Sequence, residues 1–446
     1  MKKLKLIILF CFILLFFGCG KKVSDKVESK EVLSKGNSIK LIVATDIHYI
    51  SPDIIDEGTA FQNMYKNGDG KEVHYIDKIT DAFIDEVIEK KPNALILSGD
   101  LTLNGEKVSH EVLAKKLQKV KDNRIPVLVI PGNHDINNYN ARGYKSDTTY
   151  TVESITPEEF REIYGDFGYS TEVKYDKNSL SYVAEISDDL WLIMIDTNKY
   201  TDNNRWLNPS EASGKIKKDT YRWLQKSLDE AKSKGVTPIT VMHHNLVNHN
   251  KIINKGYTID NSQEVINLLK KYDVKLNLSG HIHAQNITND KISDKKVYDI
   301  ATSSLSVYTN QYGIIEFLPN KSISYNTKAI EIEEWAKKNN ILDKNLLNHQ
   351  EYSNEFFRKV TYGRTIRSLN KLELTDKEKS LMASVVSDLN PHYFSGTVNS
   401  IYKNILASEG FKLWLDNRNN SLGNYIYSIM DDTIKDENSV IIPLIE

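Results

Sequence analysis

Five short blocks set metal-donor residues directly after apolar runs. They are Asp46-Ile47-His48, Gly99-Asp100, Gly132-Asn133-His134-Asp135, His243-His244 and Gly280-His281-Ile282-His283. Carboxylate, imidazole and amide oxygen are the donors, and no thiolate joins them. That set favours manganese, iron or zinc over a purely calcium-type site. Seven candidate ligands (Asp46, His48, Asp100, Asn133, His243, His281 and His283) are too many for one tetrahedral ion. Asp46, His48 and His283 could serve one ion, and Asn133, His243 and His281 a second, with Asp100 able to bridge both. Two ions about 3.5–4 Å apart suit displacement at phosphorus, because they activate a bridging hydroxide and neutralise phosphate oxygens. His134 is left over beside a ligand, where an imidazole could protonate a leaving oxygen or steady charge in the transition state.

Such residues, far apart in the chain, need a scaffold that gathers them. Six β-rich runs recur: 40–46, 94–100, 126–135, 190–198, 238–245 and 274–283. Continuous apolar runs of this kind suit strands buried on both faces. Parallel strands bring their C-terminal ends to one edge, where α/β proteins build their sites. In Asp-x-His and His-x-His, a period of two puts both side chains on one side if the backbone stays extended. Helices are expected between the runs. Ile76, Ile79, Phe83 and Val87 mark one, residues 108–121, 219–234 and 262–272 mark three more, and Thr156-Pro157-Glu158-Glu159 reads as a capping box. The polar stretch 49–74 reads as a long loop over one rim. Strand and helix alternate to about residue 327, which argues for a layered α/β catalytic domain over 39–327. Beyond it, 328–340, 351–370, 375–389 and 393–408 favour helix, so 328–446 reads as a second, mainly helical domain.

Composition narrows the classes. The chain has 446 residues, 11 His, only 2 Cys and a formal charge of −2. Two cysteines exclude a disulfide scaffold and a cysteine zinc cluster. The balanced charge gives no reason to expect nucleic-acid binding. Residues 1–18 combine Lys2, Lys3 and Lys5 with an apolar run from Leu6 to Phe17, too short to span a bilayer and suited to a signal-peptide core. Gly18-Cys19 follows, and the segment resembles a bacterial lipoprotein signal, which implies export and a membrane anchor through lipid on Cys19. Residues 19–38 are polar and read as a tether.

The five blocks in this order resemble the calcineurin-like metallophosphoesterase superfamily, over about residues 39–320. The resemblance implies a four-layer α-β-β-α sandwich with a dinuclear site at the strand ends. It also implies the ligand partition above, with Asp100 bridging and His134 as the catalytic histidine. Within the pair, His243 becomes the ligand, and His244 faces the phosphate or supports the site. Asn133 and His134 would contact substrate as well. Lipoprotein signal, phosphoesterase domain and helical C-terminal domain together are similar to bacterial secreted cyclic-nucleotide phosphodiesterases. Residues 99–106 (GDLTLNGE) and 242–249 (MHHNLVNH) fit that subgroup. The expected substrate is a small phosphoester, a cyclic or related nucleotide.

Two other readings use the same residues. One is a phosphomonoesterase or nucleotidase, and the other a cell-surface binding lipoprotein with little turnover. His74, His110, His349 and His392 fall outside the blocks and read as ordinary. His249 reads as a surface-loop residue and Asp135 as a support or cap. Phe356, Phe357, Tyr393, Phe394 and Trp414 could stack on a base, but at helical spacing they read as core.

Overall fold

The computed structural model describes residues 38–170, 174–290, 295–318, 322–417, 420–431 and 436–444. The expected signal segment, Cys19 and all of the tether but Ser38 lie outside them. Among the described residues, no helix is long and apolar enough to cross a membrane.

The apolar runs form the centres of two sheets. In the first, Ile39–Ala44, Ala94–Ser98 and Val127–Ile130 run parallel. Antiparallel strands Gln311–Leu318, Ser322–Ala329 and Ser439–Pro443 extend it on the other side of Ile39–Ala44. In the second sheet, Leu190–Ile195, Thr237–Met242, Leu276–Ser279 and Tyr298–Ala301 run parallel. Helices make the crossovers: Ile76–Lys90 and Lys107–Asp122 in the first sheet, Lys218–Lys234 and Ser262–Lys271 in the second.

One strand shows how the layers stack. Leu190, Leu192 and Met194 join the core that also holds Leu41, Val43 and Leu97 of the first sheet. Their neighbours Ile193 and Ile195 pack instead with Leu224 and Leu228 of helix Lys218–Lys234 and with Val265 and Leu269 of helix Ser262–Lys271. Period-two alternation thus fills two different interfaces. The result is the expected α-β-β-α order.

Past Ala329 the chain is mainly helical, with its own core of Leu369, Met382, Val386, Leu389, Phe411, Trp414 and Ile426. Helix Asp376–Phe394 starts at the Thr375/Glu378 capping box, and helix Pro157–Ile163 at the Thr156/Glu159 one. Trp335 of helix Ile332–Lys338 donates from Nε1 to Asp85 Oδ2 at 2.8 Å, tying this region to helix Ile76–Lys90.

Several local expectations are corrected. The stretch 49–74 is not all loop, because Thr59–Lys66 forms a helix that buries Phe61. The helix expected over 393–408 is broken: Ser395 and Gly396 close the preceding helix, and the next begins at Tyr402. The last strand, Ser439–Pro443, lies beyond the helices and pairs with Ser322–Ala329.

Candidate metal centre

The strands stop just before their ligands. They end at Ala44, Ser98, Ile130, Met242 and Ser279, and the donors follow at Asp46, Asp100, Asn133, His243 and His281. The backbone does not stay extended there. Asp46, His48, Asp100, His281 and His283 have φ of 51°, 49°, 48°, 67° and 61°. This left-handed region is uncommon for residues with a Cβ, and such strain concentrates at functional sites. Cross-strand hydrogen bonds hold the turns. Asp46 N–H donates to Gly99 O and His48 N–H to Asp100 O, both at 3.0 Å, and Gly280 N–H donates to His243 O at 2.9 Å. Asp46 and His48 therefore converge through a tight turn, not through the strand period, and His281 and His283 turn towards different ligand sets.

The ligand residues gather into two sets that share Asp100. Asp46, His48, Asp100 and His283 form one, and Asp100, His243 and His281 the other, with the donor atoms of each set within 4.8 Å of one another. In the first, His283 Nε2 lies 3.2 Å from Asp46 Oδ1 and 3.1 Å from His48 Nε2. In the second, His243 Nε2 lies 3.4 Å from Asp100 Oδ1 and 3.2 Å from Asn133 Oδ1. Asn133 thus lies beside His243.

The surroundings fix which atom His243 and His281 offer. A carbonyl only accepts, so a ring nitrogen bonded to one carries the proton. His243 Nδ1 donates to Ser98 O at 3.0 Å, which leaves Nε2 for an ion. His281 Nε2 donates to Gly256 O at 3.0 Å, which leaves Nδ1. Asp46 Oδ2 accepts from Thr45 Oγ1 at 2.7 Å and from His281 N–H at 2.9 Å. Its Oδ1 is buried and has no hydrogen-bond partner among the described residues. A buried carboxylate oxygen without a donor, facing imidazole nitrogens, is what a cation would complete. The residues fit a dinuclear centre.

Titration behaviour agrees. Burial would raise the Asp100 carboxyl, but His243, then His134 and His48, hold it well below the usual carboxylate range. Burial and then the charge of Lys71 keep His48 neutral, far below an ordinary histidine. Burial pushes His281 down to about 3. Burial also opposes charge on His243, yet Asp100 and Asp46 raise it to about 9. The field that favours a proton there would favour a metal ion in its place.

Two glycines are required by space. A Cβ on Gly132 would sit 2.2 Å from both N and Oδ1 of Asp100. One on Gly280 would sit 2.0 Å from Thr45 Oγ1 and 2.6 Å from Asp46 Oδ2. Each of these glycines lets a ligand from a different block pass against its backbone.

His134 stands beside the centre and in neither ligand set. Its N–H donates to Asp100 Oδ1 at 2.9 Å and its Nδ1 to Leu103 O at 2.7 Å. Nε2 is therefore the ring atom left to act, 3.9 Å from Asp100 Oδ2. His244 behaves differently. It is buried, with Nδ1 2.7 Å from Thr197 Oγ1 and Nε2 donating to Ala212 O at 3.0 Å. Neither ring nitrogen is left for phosphate, so the expected substrate contact finds no donor there. Its ring instead lies 4.6 Å from that of His281, centroid to centroid, and backs that ligand.

Sequence reasoning misjudged His249 and missed Lys71, while Asp135 and Trp414 keep the supporting and core roles read for them. His249 is buried, not on the surface, with Nδ1 2.7 Å from Asn286 Oδ1 and Nε2 3.1 Å from Asp299 Oδ2. Asp135 is a clamp: it accepts from the N–H groups of Leu101, Thr102 and Gly132 and so ties two ligand loops together. Lys71 carried no spacing signal inside a polar stretch. Its Nζ pairs with Asp69 Oδ2 at 2.8 Å, and its charge bears on both His48 and His134. Phe357, Tyr393 and Phe394 line a cavity beside His281 and His283. Trp414 is core, donating from Nε1 to Met382 O at 2.9 Å.

Comparison with known proteins places these features among relatives. A family model described as calcineurin-like phosphoesterase matches residues 39–285. A second, described as the C-terminal domain of cyclic nucleotide phosphodiesterase, matches residues 331–436. A protein from Ruthia magnifica subsp. Calyptogena magnifica named "Probable cyclic nucleotide phosphodiesterase" is 27% identical over 201 residues. That alignment covers 45% of this chain and 66% of the relative, just under two thirds of its length. Among solved structures, a dimetal phosphatase from Danio rerio aligns at 9% identity with a TM-score of 0.48, covering 65% of this chain and 96% of that one. A purple acid phosphatase from yellow lupin (Lupinus luteus) seeds aligns at 10% identity with a TM-score of 0.38, covering 66% of this chain and 52% of that one.

Proposed function

Because the chain belongs to the calcineurin-like phosphoesterase family, we propose that it is a metal-dependent hydrolase of phosphodiesters, specifically of cyclic or related nucleotides. The observation that carries the chemistry is the pair of ligand sets joined by Asp100. The diester and nucleotide parts are supported by the match of residues 331–436 and by the name of the Ruthia relative.

Two ions at these ligands, manganese or iron by donor chemistry and zinc as an alternative, would polarise the phosphate and supply an activated water at neutral pH. The chain's own residues do the rest. Asp46, His243 and His281 hold fixed positions because their second atoms are already bonded to Thr45, Ser98 O and Gly256 O, and Asp100 is held by the His134 N–H on Oδ1. Asn133 brings an amide next to His243, in reach of the phosphate oxygens. His134 handles the proton. With Nδ1–H committed to Leu103, a second proton must sit on Nε2 and make the ring cationic. Burial lowers the affinity of His134 for that proton, against the pull of Asp100. A proton on Nε2 is thus readily surrendered to a departing ester oxygen. Lys71 adds a cation beside the centre for an anionic substrate.

The test is hydrolysis of bis(p-nitrophenyl) phosphate against p-nitrophenyl phosphate after loading with Mn²⁺, followed by 3′,5′-cyclic AMP. A higher kcat/KM for the diester, with turnover of the cyclic nucleotide, is expected. A clear preference for the monoester would make the chain a phosphomonoesterase. Export and anchoring through lipid on Cys19 belong to the same proposal, supported by residues 1–19 alone. Incorporation of labelled palmitate into wild type and its loss in Cys19→Ala test it.

A further inference from the structure

The ligands His281 and His283 form part of the wall of a cavity of about 410 Å³. Much of the remaining wall comes from helices His349–Leu369 and Asp376–Phe394 of the C-terminal region. Pockets for small organic ligands fall in the range of roughly 300–1,000 Å³ and combine apolar surface with a few placed polar groups. This cavity has both. Tyr257, Phe357, Tyr393 and Phe394 supply aromatic surface. Tyr257 reaches the metal centre directly, its ring 5.0 Å from that of His281.

The polar groups are specific. Tyr425 Oη donates to Asn390 Oδ1 at 3.1 Å, which orients the amide. Asn390 Nδ2 makes no hydrogen bond with the described residues, so both of its N–H groups are left to donate. Arg364 stands exposed at the rim, and its guanidinium has no hydrogen bond or ion pair among the described residues. Aromatic walls with an oriented amide donor suit a flat heteroaromatic ring that carries acceptors on its edge. The carboxylate on the wall, Asp69, is paired with Lys71 at 2.8 Å, so Arg364 adds a cation that suits an anionic ligand.

Building on the nucleotide reading above, we infer that this cavity is the nucleoside subsite of the enzyme. The base lies among the aromatic residues, Asn390 donates to its edge, and the phosphate is directed towards His281 and His283. Specificity then resides in the C-terminal helices, while the five sequence blocks carry the chemistry.

The isosteric substitution Asn390→Asp tests this, because it keeps the acceptor that Tyr425 holds and removes the donor. Adenosine, guanosine, cytidine and uridine are titrated calorimetrically into the metal-loaded full chain. Nucleosides lack phosphate and are not turned over. At least one should bind wild type, and Asn390→Asp should weaken it tenfold or more. The same variant should keep the metal content of wild type, because Asn390 belongs to neither ligand set. Unaltered thermal melting shows that the variant folds, and Asn390→Leu provides a second test without a new charge. Absence of binding by all four nucleosides, or equal binding by wild type and both variants, would overturn the subsite. A wild type that binds a nucleoside but does not hydrolyse the bis-aryl diester would instead overturn the phosphodiesterase reading and leave the subsite standing.

Discussion

Asp100 Oδ1 lies 3.4 Å from His243 Nε2, while its other carboxylate oxygen, Oδ2, lies 3.7 Å from His48 Nε2. One carboxylate therefore serves both ligand sets, an oxygen for each. Asp100→Asn keeps the shape but replaces one anionic oxygen with an amide nitrogen that cannot ligate. Metal content should fall from two ions per chain to one or fewer, and diester hydrolysis should drop to background. Elemental analysis after gel filtration measures the first. Two retained ions would mean that Asp100 does not bridge.

His134 can be separated from metal binding. Its contact with Asp100 is made by the backbone N–H, which survives any substitution other than proline. His134→Gln should keep both ions and lower kcat by about 10²–10⁴-fold, the usual contribution of a positioned acid–base group. Loss of metal in this variant would show instead that the ring supports the centre.

Gly132→Ala places a methyl carbon 2.2 Å from two atoms of Asp100, one of them backbone. Neither loop can give way cheaply, because Asp135 bonds to Gly132 N–H and to the residues just after Asp100. Overpacking of this kind costs about 1–3 kcal/mol. Urea unfolding of metal-free protein should show that loss, and metal affinity should fall with it. An unchanged midpoint would mean that the loops are softer than this bonding implies.

The chemistry was legible because it depends on residue type and order. Strands buried on both faces read as apolar runs, and the donors follow those runs. The turn geometry was not legible, since Asp46 and His48 adopt φ near +50° only because Gly99 O and Asp100 O are placed to receive their N–H groups. Sequence spacing does not report such tertiary hydrogen bonds. His249 looked like a loop residue because Asp299, which buries and bonds it, lies 50 residues on. Lys71 was missed for a similar reason: a lysine in a polar stretch becomes a site residue only when the fold lets its charge bear on His48. Strand Ser439–Pro443 is short and follows helices, so only its pairing with Ser322–Ala329 reveals it.

Lys71 leads to an activity prediction. Its side chain is mostly covered and already paired with Asp69, so its charge is held in place. Lys71→Gln should raise KM for an anionic diester roughly three- to tenfold, about 1 kcal/mol of binding, with kcat nearly unchanged. The effect should shrink at high salt. If kcat falls while KM holds, the lysine acts in the transition state and not in binding.

His110, outside both ligand sets, gives a stability prediction. It is fully buried, with Nε2 donating to Asp135 O at 3.0 Å and Nδ1 2.9 Å from Tyr164 Oη. Burial lowers it to about 3, against an ordinary value of 6.5. The folded state therefore binds its proton less readily than the unfolded state. Between those two values the unfolded chain carries more protons, so stability rises with pH there. The contribution is complete above about pH 6.5 and is lost as pH falls towards 3. From pH 6.5 to 4.5 the loss is about 2–3 kcal/mol at this one group. Metal ligands titrate in the same range, so the measurement is a difference between wild type and His110→Gln, both free of metal. Glutamine can donate to Asp135 O and has no charge to gain. Wild type should lose stability more steeply on acidification, and the two urea-derived curves should converge as pH falls. Parallel curves across this range would show that protonation of His110 is not coupled to unfolding.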